Sequence, residues 1–177
     1  TFGSIVLNNS VGGLNPYAVD AAARDGAKVV WFPTVDTVAA IKKTEHIEEG
    51  GRRPFWLDVL LSIQADGMEL KPVRILDDDG KLVPEAIEVL DVIARYNMIL
   101  ATGHISVREA KELIKVAKER KVEKIICTHV DSQLCFWDIE DQIEYVKKYG
   151  VYMEHCSNSC TTGKVAWDVC LNQIKSI

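Results

Sequence analysis

Three apolar runs in the second half of the sequence each end in a histidine, and imidazole is both a metal ligand and an acid or base near neutral pH. The runs are Ile99-Leu100-Ala101-Thr102-Gly103-His104, Ile125-Ile126-Cys127-Thr128-His129 and Val151-Tyr152-Met153-Glu154-His155. The histidines recur at 25 and 26 positions (104 to 129 to 155). Two of them at equivalent strand tips could bind one zinc-like ion, with manganese or iron as further candidates, so His104 and His129 are the candidate metal ligands. Glu154 and His155 are the candidate catalytic groups. Side chains alternate along a strand, so one of the pair faces the site and the other faces away; the sequence leaves open which. A buried Glu154 needs a partner or a raised pKa, which would suit a base.

Other rim positions offer hydrogen bonds rather than charge. Asn8 and Asn9 follow the apolar run Ser4–Leu7, and Thr34 and Asp36 follow Lys28–Phe32. Asn8 and Thr34 are the candidate substrate contacts, although capping and turn roles suit these residues equally. Several other chemistries find weaker support. Gly12-Gly13 lacks both the dinucleotide fingerprint and the P-loop, and Thr162-Gly163-Lys164 lacks the upstream glycine. Asp77-Asp78-Asp79-Gly80 has no glutamate at calcium-loop spacing and reads as a turn. Lys28 and Lys124 stand at strand beginnings, away from the tips where a Schiff-base lysine belongs. Cys156 and Cys160, four apart, are too few for the four ligands of a structural zinc.

These residues need elements that bring them together. An amphipathic helix fills each gap between histidine runs, which makes a repeated strand–tip–helix unit whose parallel strands share one rim. The first half has the same period, since Asn8 and Thr34 stand 26 positions apart (8 to 34). Asn15 caps the first helix, with Pro16 at its first position and Gly26 after its end. Pro84 starts another helix that Asn97 ends. Ser106 and Glu109 make a capping box, Asp138 caps the next helix and Gly150 closes it. Ser157 to Thr162 reads as a polar loop, followed by a helix from about Gly163. The runs Val29–Phe32 and Ile125–Cys127 are continuously apolar, as expected for parallel strands buried on both faces.

Residues 35–83 break the period and read as an insertion. Val38–Ile41 suggests a helical turn, and Gly50-Gly51-Arg52-Arg53-Pro54 a loop. Asp58–Gln64 fits strand or helix. Pro72–Leu76 and Lys81–Val83 suggest a β-hairpin turned at Asp-Gly. The fold expected is therefore α/β, a (βα)₈ TIM-type barrel represented by about five of its units in a single domain over 1–177. A whole barrel takes ~250 residues, so about three units would lie outside this sequence.

The chain of 177 residues is 47% hydrophobic and 27% charged, with a net charge of −5. Without a basic patch, a nucleic-acid surface is not expected. No apolar stretch approaches the ~20 residues of a membrane span. Five cysteines, an odd number, fit a cytoplasmic protein with free thiols. The expected partner is a small-molecule substrate. A homo-oligomer is a further possibility, because the strand edges of an incomplete barrel invite association.

The residues resemble those of the amidohydrolase superfamily of metal-dependent TIM-barrel hydrolases, and most closely an uncharacterised branch of it. The likeness is carried by Gly3–Asn8 with Val11–Pro16, Val30–Thr34, Arg74–Gly80, Ala101–His104, Thr128-His129 and Glu154–Cys156. The resemblance implies that the first strand here corresponds to barrel strand three, and that His104 and His129 match the histidine ligands of strands five and six. It also implies metal-activated water acting on a small amide, lactone or ester-like bond. The His-x-His pair of strand one and the Asp of strand eight, usually the proton shuttle, have no counterpart among these residues. Thr34 stands where some subgroups carry a carboxylated lysine, which argues against that binuclear arrangement. The rival expectations are a non-catalytic binding or assembly module on a degenerate barrel, and a metal-dependent phosphoesterase, which a basic phosphate-binding rim would favour.

Overall fold

The structure, a computed structural model, describes residues 2–42, 55–132 and 135–177. Five parallel strands make one sheet in the order β1-β2-β3-β4-β5. They are β1 (Ser4–Val6), β2 (Val29–Trp31), β3 (Ile99–Ala101), β4 (Lys124–Cys127) and β5 (Tyr152–Met153). The α/β class and the parallel sheet expected from the period are therefore present. Each strand pairs with the next one in sequence, in a register that aligns Ile5, Val30, Leu100 and Ile125 across four strands.

The connecting helices are α1 (Pro16–Arg24), α2 (Val38–Lys42), α3 (Phe55–Ala65), α4 (Pro84–Arg95), α5 (Val107–Glu119), α6 (Ile139–Tyr149), α7 (Ser157–Thr161) and α8 (Trp167–Ser176). Their boundaries follow local chemistry. Asn15 accepts hydrogen bonds from the Tyr17 and Ala18 amides, Ser106 and Glu109 form the reciprocal capping box of α5, and Gly150 ends α6 at φ 62°. Asp138 occupies the N-cap of α6, but its side chain makes no capping bond. Asn97 ends the α4 region in the left-handed conformation, φ 50°, which asparagine tolerates better than most side chains.

The core lies between the sheet and α1, α4 and α5. Val30, Leu100 and Ile125 are fully buried against Val19, Leu90, Ile93, Leu113 and Ile114. The opposite face departs from the expectation of burial on both sides. In the register row Val6–Trp31–Ala101–Ile126–Tyr152, Val6, Trp31 and Ile126 are half-buried and Tyr152 is 68% exposed. An apolar run encodes an affinity for cover on both faces, but the helices described here supply that cover on one.

The insertion also differs in detail from the sequence reading. The segment that fitted strand or helix is helical as α3, and the Ser157–Thr162 loop contains the short α7. The hairpin reduces to a single antiparallel bridge, Leu76 with Leu82. Its turn is closed by the Asp77 carboxylate accepting from the Lys81 amide at 2.8 Å. Ile75 and Leu82 are buried, and the Asp77 amide donates to Lys81 O at 2.8 Å and the Val83 amide to Ile75 O at 3.0 Å, so core packing and a short cross-hairpin pairing hold the segment together. The Gly50–Pro54 loop lies outside the described residues.

Candidate metal centre

The strand tips are fastened to one another before any functional group is placed. At the β3–β4 junction Thr128 Oγ1 accepts from the Gly103 amide at 3.0 Å, and Thr102 Oγ1 accepts from the Thr128 amide at 2.9 Å. Both threonines are buried, so these bonds satisfy amides that water does not reach. The His104 amide donates to Pro33 O at 2.9 Å. Gly103 makes that approach possible, because it has φ +66° and a Cβ there would lie 2.3 Å from Phe32 O.

His104 and His129 consequently face each other, with ring centroids 5.4 Å apart. His129 has φ 49°, in the left-handed region that a non-glycine residue enters at some cost. Its ring Nδ1 lies 3.0 Å from Glu154 Oε2, and its amide donates to the same oxygen at 3.2 Å. Cys156 Sγ is also 3.0 Å from Nδ1. One donor atom each from His129, Glu154 and Cys156 falls within a 4.8 Å span. This nitrogen, oxygen and sulfur set suits zinc and other borderline divalent ions.

Electrostatics follow this geometry. The His129 ring beside Glu154 holds its carboxyl below the ordinary carboxylate range, against the opposing push of burial. Burial, then the Glu154 charge, raises the Cys156 thiol. A ring that gives its Nδ1 proton to Glu154 presents Nε2 as a ligand, with the carboxylate orienting it from behind. A ring that ligates through Nδ1 has Glu154 and Cys156 as co-ligands. Cys127 and Cys135 are different, because burial pushes both thiols up to about 12, and Cys135 Sγ donates to Thr128 O and His129 O at the β4 tip.

The structure thus brings His104, His129 and Glu154 together and turns His155 elsewhere. His155 Nδ1 stands 3.8 Å from Asp131 Oδ2 and 4.0 Å from Cys170 Sγ. Burial lowers its pKa, against the pull of Asp131. Cys156 belongs with Glu154 and was not selected from the sequence as a site residue. The signal available was its position two residues after Glu154, on the same side of an extended segment. Asn8 and Thr34 are tied to each other, with Asn8 Nδ2 donating to Thr34 Oγ1 at 3.0 Å and the Thr34 amide donating to Asn8 Oδ1 at 2.9 Å. Asn8 also borders a cleft of about 550 Å³ lined by Asp36, Trp56, Leu60 and Met68. That volume falls within the range of small-molecule sites.

Residues 1–154 match the family of unknown function DUF6282. The chain belongs to DUF6282. The matched span includes His104, His129 and Glu154, and it ends before Cys156. No curated protein and no solved structure matches this DUF6282 chain. No helix among its described residues is long and apolar enough to cross a membrane.

Proposed function

We propose that this chain carries the metal-binding part of a metal-dependent hydrolase of the amidohydrolase type, acting on a small amide, lactone or ester-like substrate. The observation that carries the reading is the convergence of His129, Glu154 and Cys156, faced by His104, at the C-terminal ends of consecutive parallel strands. The active sites of (βα)₈ barrels stand at that rim. The sequential strand order without a reversal fits an arc of such a barrel better than a doubly wound sheet, whose order reverses at a switch point.

His104 and His129 would hold a divalent ion, zinc ahead of manganese or iron, with Glu154 and Cys156 as co-ligands or supporting groups. When bound, the ion would supply Lewis-acid chemistry and activate water. Glu154 is kept ionised by His129, which suits it to orienting that ring or ligating the ion more than to taking a proton. His129 is oriented through both its ring and its amide, and His104 through its amide on Pro33. Asn8 and Thr34 fix the border between the 550 Å³ cleft and the Pro33 turn, where they would contact the remainder of a substrate.

The test is metal content by elemental analysis, beside a screen of amide, lactone and ester hydrolysis. Near-stoichiometric zinc, manganese or iron is expected in the protein, with loss of both metal and activity in the His104→Ala/His129→Ala double variant. Equal metal in a folded double variant would overturn the site. Metal binding without hydrolysis of any substrate class would favour the binding-module reading.

A further inference from the structure

A second group of metal-binding side chains converges around Asp131, two residues beyond His129. The Asp131 side chain is fully buried, and neither of its carboxylate oxygens accepts a hydrogen bond among the described residues. The His155 ring Nδ1 is 3.8 Å from Asp131 Oδ2, beyond hydrogen-bond length. Cys160 and Cys170 complete the group. Their thiols and an Asp131 oxygen lie within 4.8 Å of one another, and Cys170 Sγ is 4.0 Å from His155 Nδ1. Both cysteines are free and at most 5% exposed.

A buried carboxylate without donors is strongly disfavoured unless a cation or a proton compensates it. Aspartate and two cysteines within 4.8 Å of one another, with the His155 ring 3.8 Å from Asp131 and 4.0 Å from Cys170, supply the donor types of a four-coordinate ion. We propose that Asp131, His155, Cys160 and Cys170 form a second metal site, separate from the histidine centre, that takes zinc and joins the β4 and β5 tips to α7 and α8.

The distances suit this assignment. Zinc bonds of ~2.3 Å to sulfur and ~2.0 Å to nitrogen or oxygen in a tetrahedron put ligand atoms roughly 3.3–3.8 Å apart. The 3.8 and 4.0 Å separations of His155 from Asp131 and Cys170 reach that range with shifts of a few tenths of an ångström. His155 stands outside the 4.8 Å cluster of Asp131, Cys160 and Cys170, and closes on Cys160 only by a larger swing of its ring. Four protein ligands and near-complete burial leave no open position, which marks a structural site rather than a catalytic one. Binding releases the protons of the two thiols. The two centres share no ligand. The alternation that points Glu154 and Cys156 at His129 points His155, between them, at Asp131.

The probe is zinc itself. Wild type, Cys160→Ser/Cys170→Ser and His129→Ala/Cys156→Ala are loaded with zinc, dialysed against a weak chelator and assayed for metal. The first double variant is expected to hold one equivalent less than wild type, while the second keeps that equivalent. A measurement on wild type alone covers the case in which a variant does not fold. Alkylation of Cys160 and Cys170, mapped by mass spectrometry, should be at least tenfold slower with zinc than after chelation. Equal zinc in wild type and folded Cys160→Ser/Cys170→Ser, no protection of these thiols by zinc, or a Cys160–Cys170 disulfide in the zinc-treated protein would overturn the proposal.

Discussion

Glu154 Oε2 is gripped twice by one residue, at 3.0 Å from the His129 ring and at 3.2 Å from the His129 amide. The left-handed turn at His129, φ 49°, aims both groups at the same oxygen. The strain of that turn is compensated locally by a charge-assisted contact. The tips of β4 and β5 are thereby locked at the point where the histidines meet.

Replacing Glu154 by Gln removes the charge that orients His129 but keeps the shape. Metal affinity is expected to fall roughly 10–100-fold, the usual effect of losing an orienting carboxylate behind a ligand. Competition with a chromophoric chelator measures it. The Cys156→Ser variant then separates the two uses of the ring. A comparable loss places the ion at Nδ1, and no loss places it at Nε2.

Gly103→Ala should be among the most damaging single changes in the chain. The added methyl would meet Phe32 O at 2.3 Å and Pro33 O at 2.5 Å, at a φ of +66°. A cost of about 3 kcal/mol is expected. For a chain of this length that lowers Tm by about 6–12 °C, which calorimetry or thermal circular dichroism would detect. A melting temperature equal to wild type would contradict the close packing of His104 on the β2 tip.

Thr128→Val keeps the volume of the side chain and deletes the acceptor of the Gly103 amide. Leaving that buried N–H unpaired is expected to cost roughly 1–3 kcal/mol. Because the bond joins the two histidine tips, metal affinity should fall as well, whereas an exposed substitution of equal stability cost would leave it unchanged. Urea denaturation and metal titration of the same variant check both halves.

A pH effect is expected far from the metal centre. The Arg24 side chain, followed by the Tyr96 hydroxyl, holds the Asp20 carboxyl below its ordinary pKa. A carboxylate lowered on folding contributes stability that is fully present above its unfolded pKa, ~3.9, and is lost as pH falls through the folded value. Asp20→Asn should therefore be less stable than wild type at neutral pH, and the difference should shrink below about pH 4. Denaturant midpoints at the two pH values test the sign.

Much of the scaffold was legible because its signals are local. The repeat period, Asn15 before Pro16, the Ser106–Glu109 box and Gly150 each act within one turn of chain, and each stands where the sequence implies. The hairpin at Asp77–Gly80 was less legible. Its turn chemistry is present, but the pairing shrinks to one bridge with the two backbone hydrogen bonds beside it, while Ile75 and Leu82 pack into the core. The half-buried Trp31 and Ile126 could not be foreseen, since composition records what a strand face tolerates rather than what covers it.

The sequence by itself determined that His104, His129 and the Glu154–His155 pair sit at corresponding strand tips, because a strand–helix period places such positions on one rim. Tertiary structure alone decided how they divide. Glu154 and Cys156 turn to His129, while His155 turns to Asp131 and Cys170. Side-chain alternation says that neighbours part company but not which side is which. That choice depends on contacts between β4, β5 and the C-terminal helices, formed by residues up to 39 positions apart (131 to 170), whose separation carries no local signal.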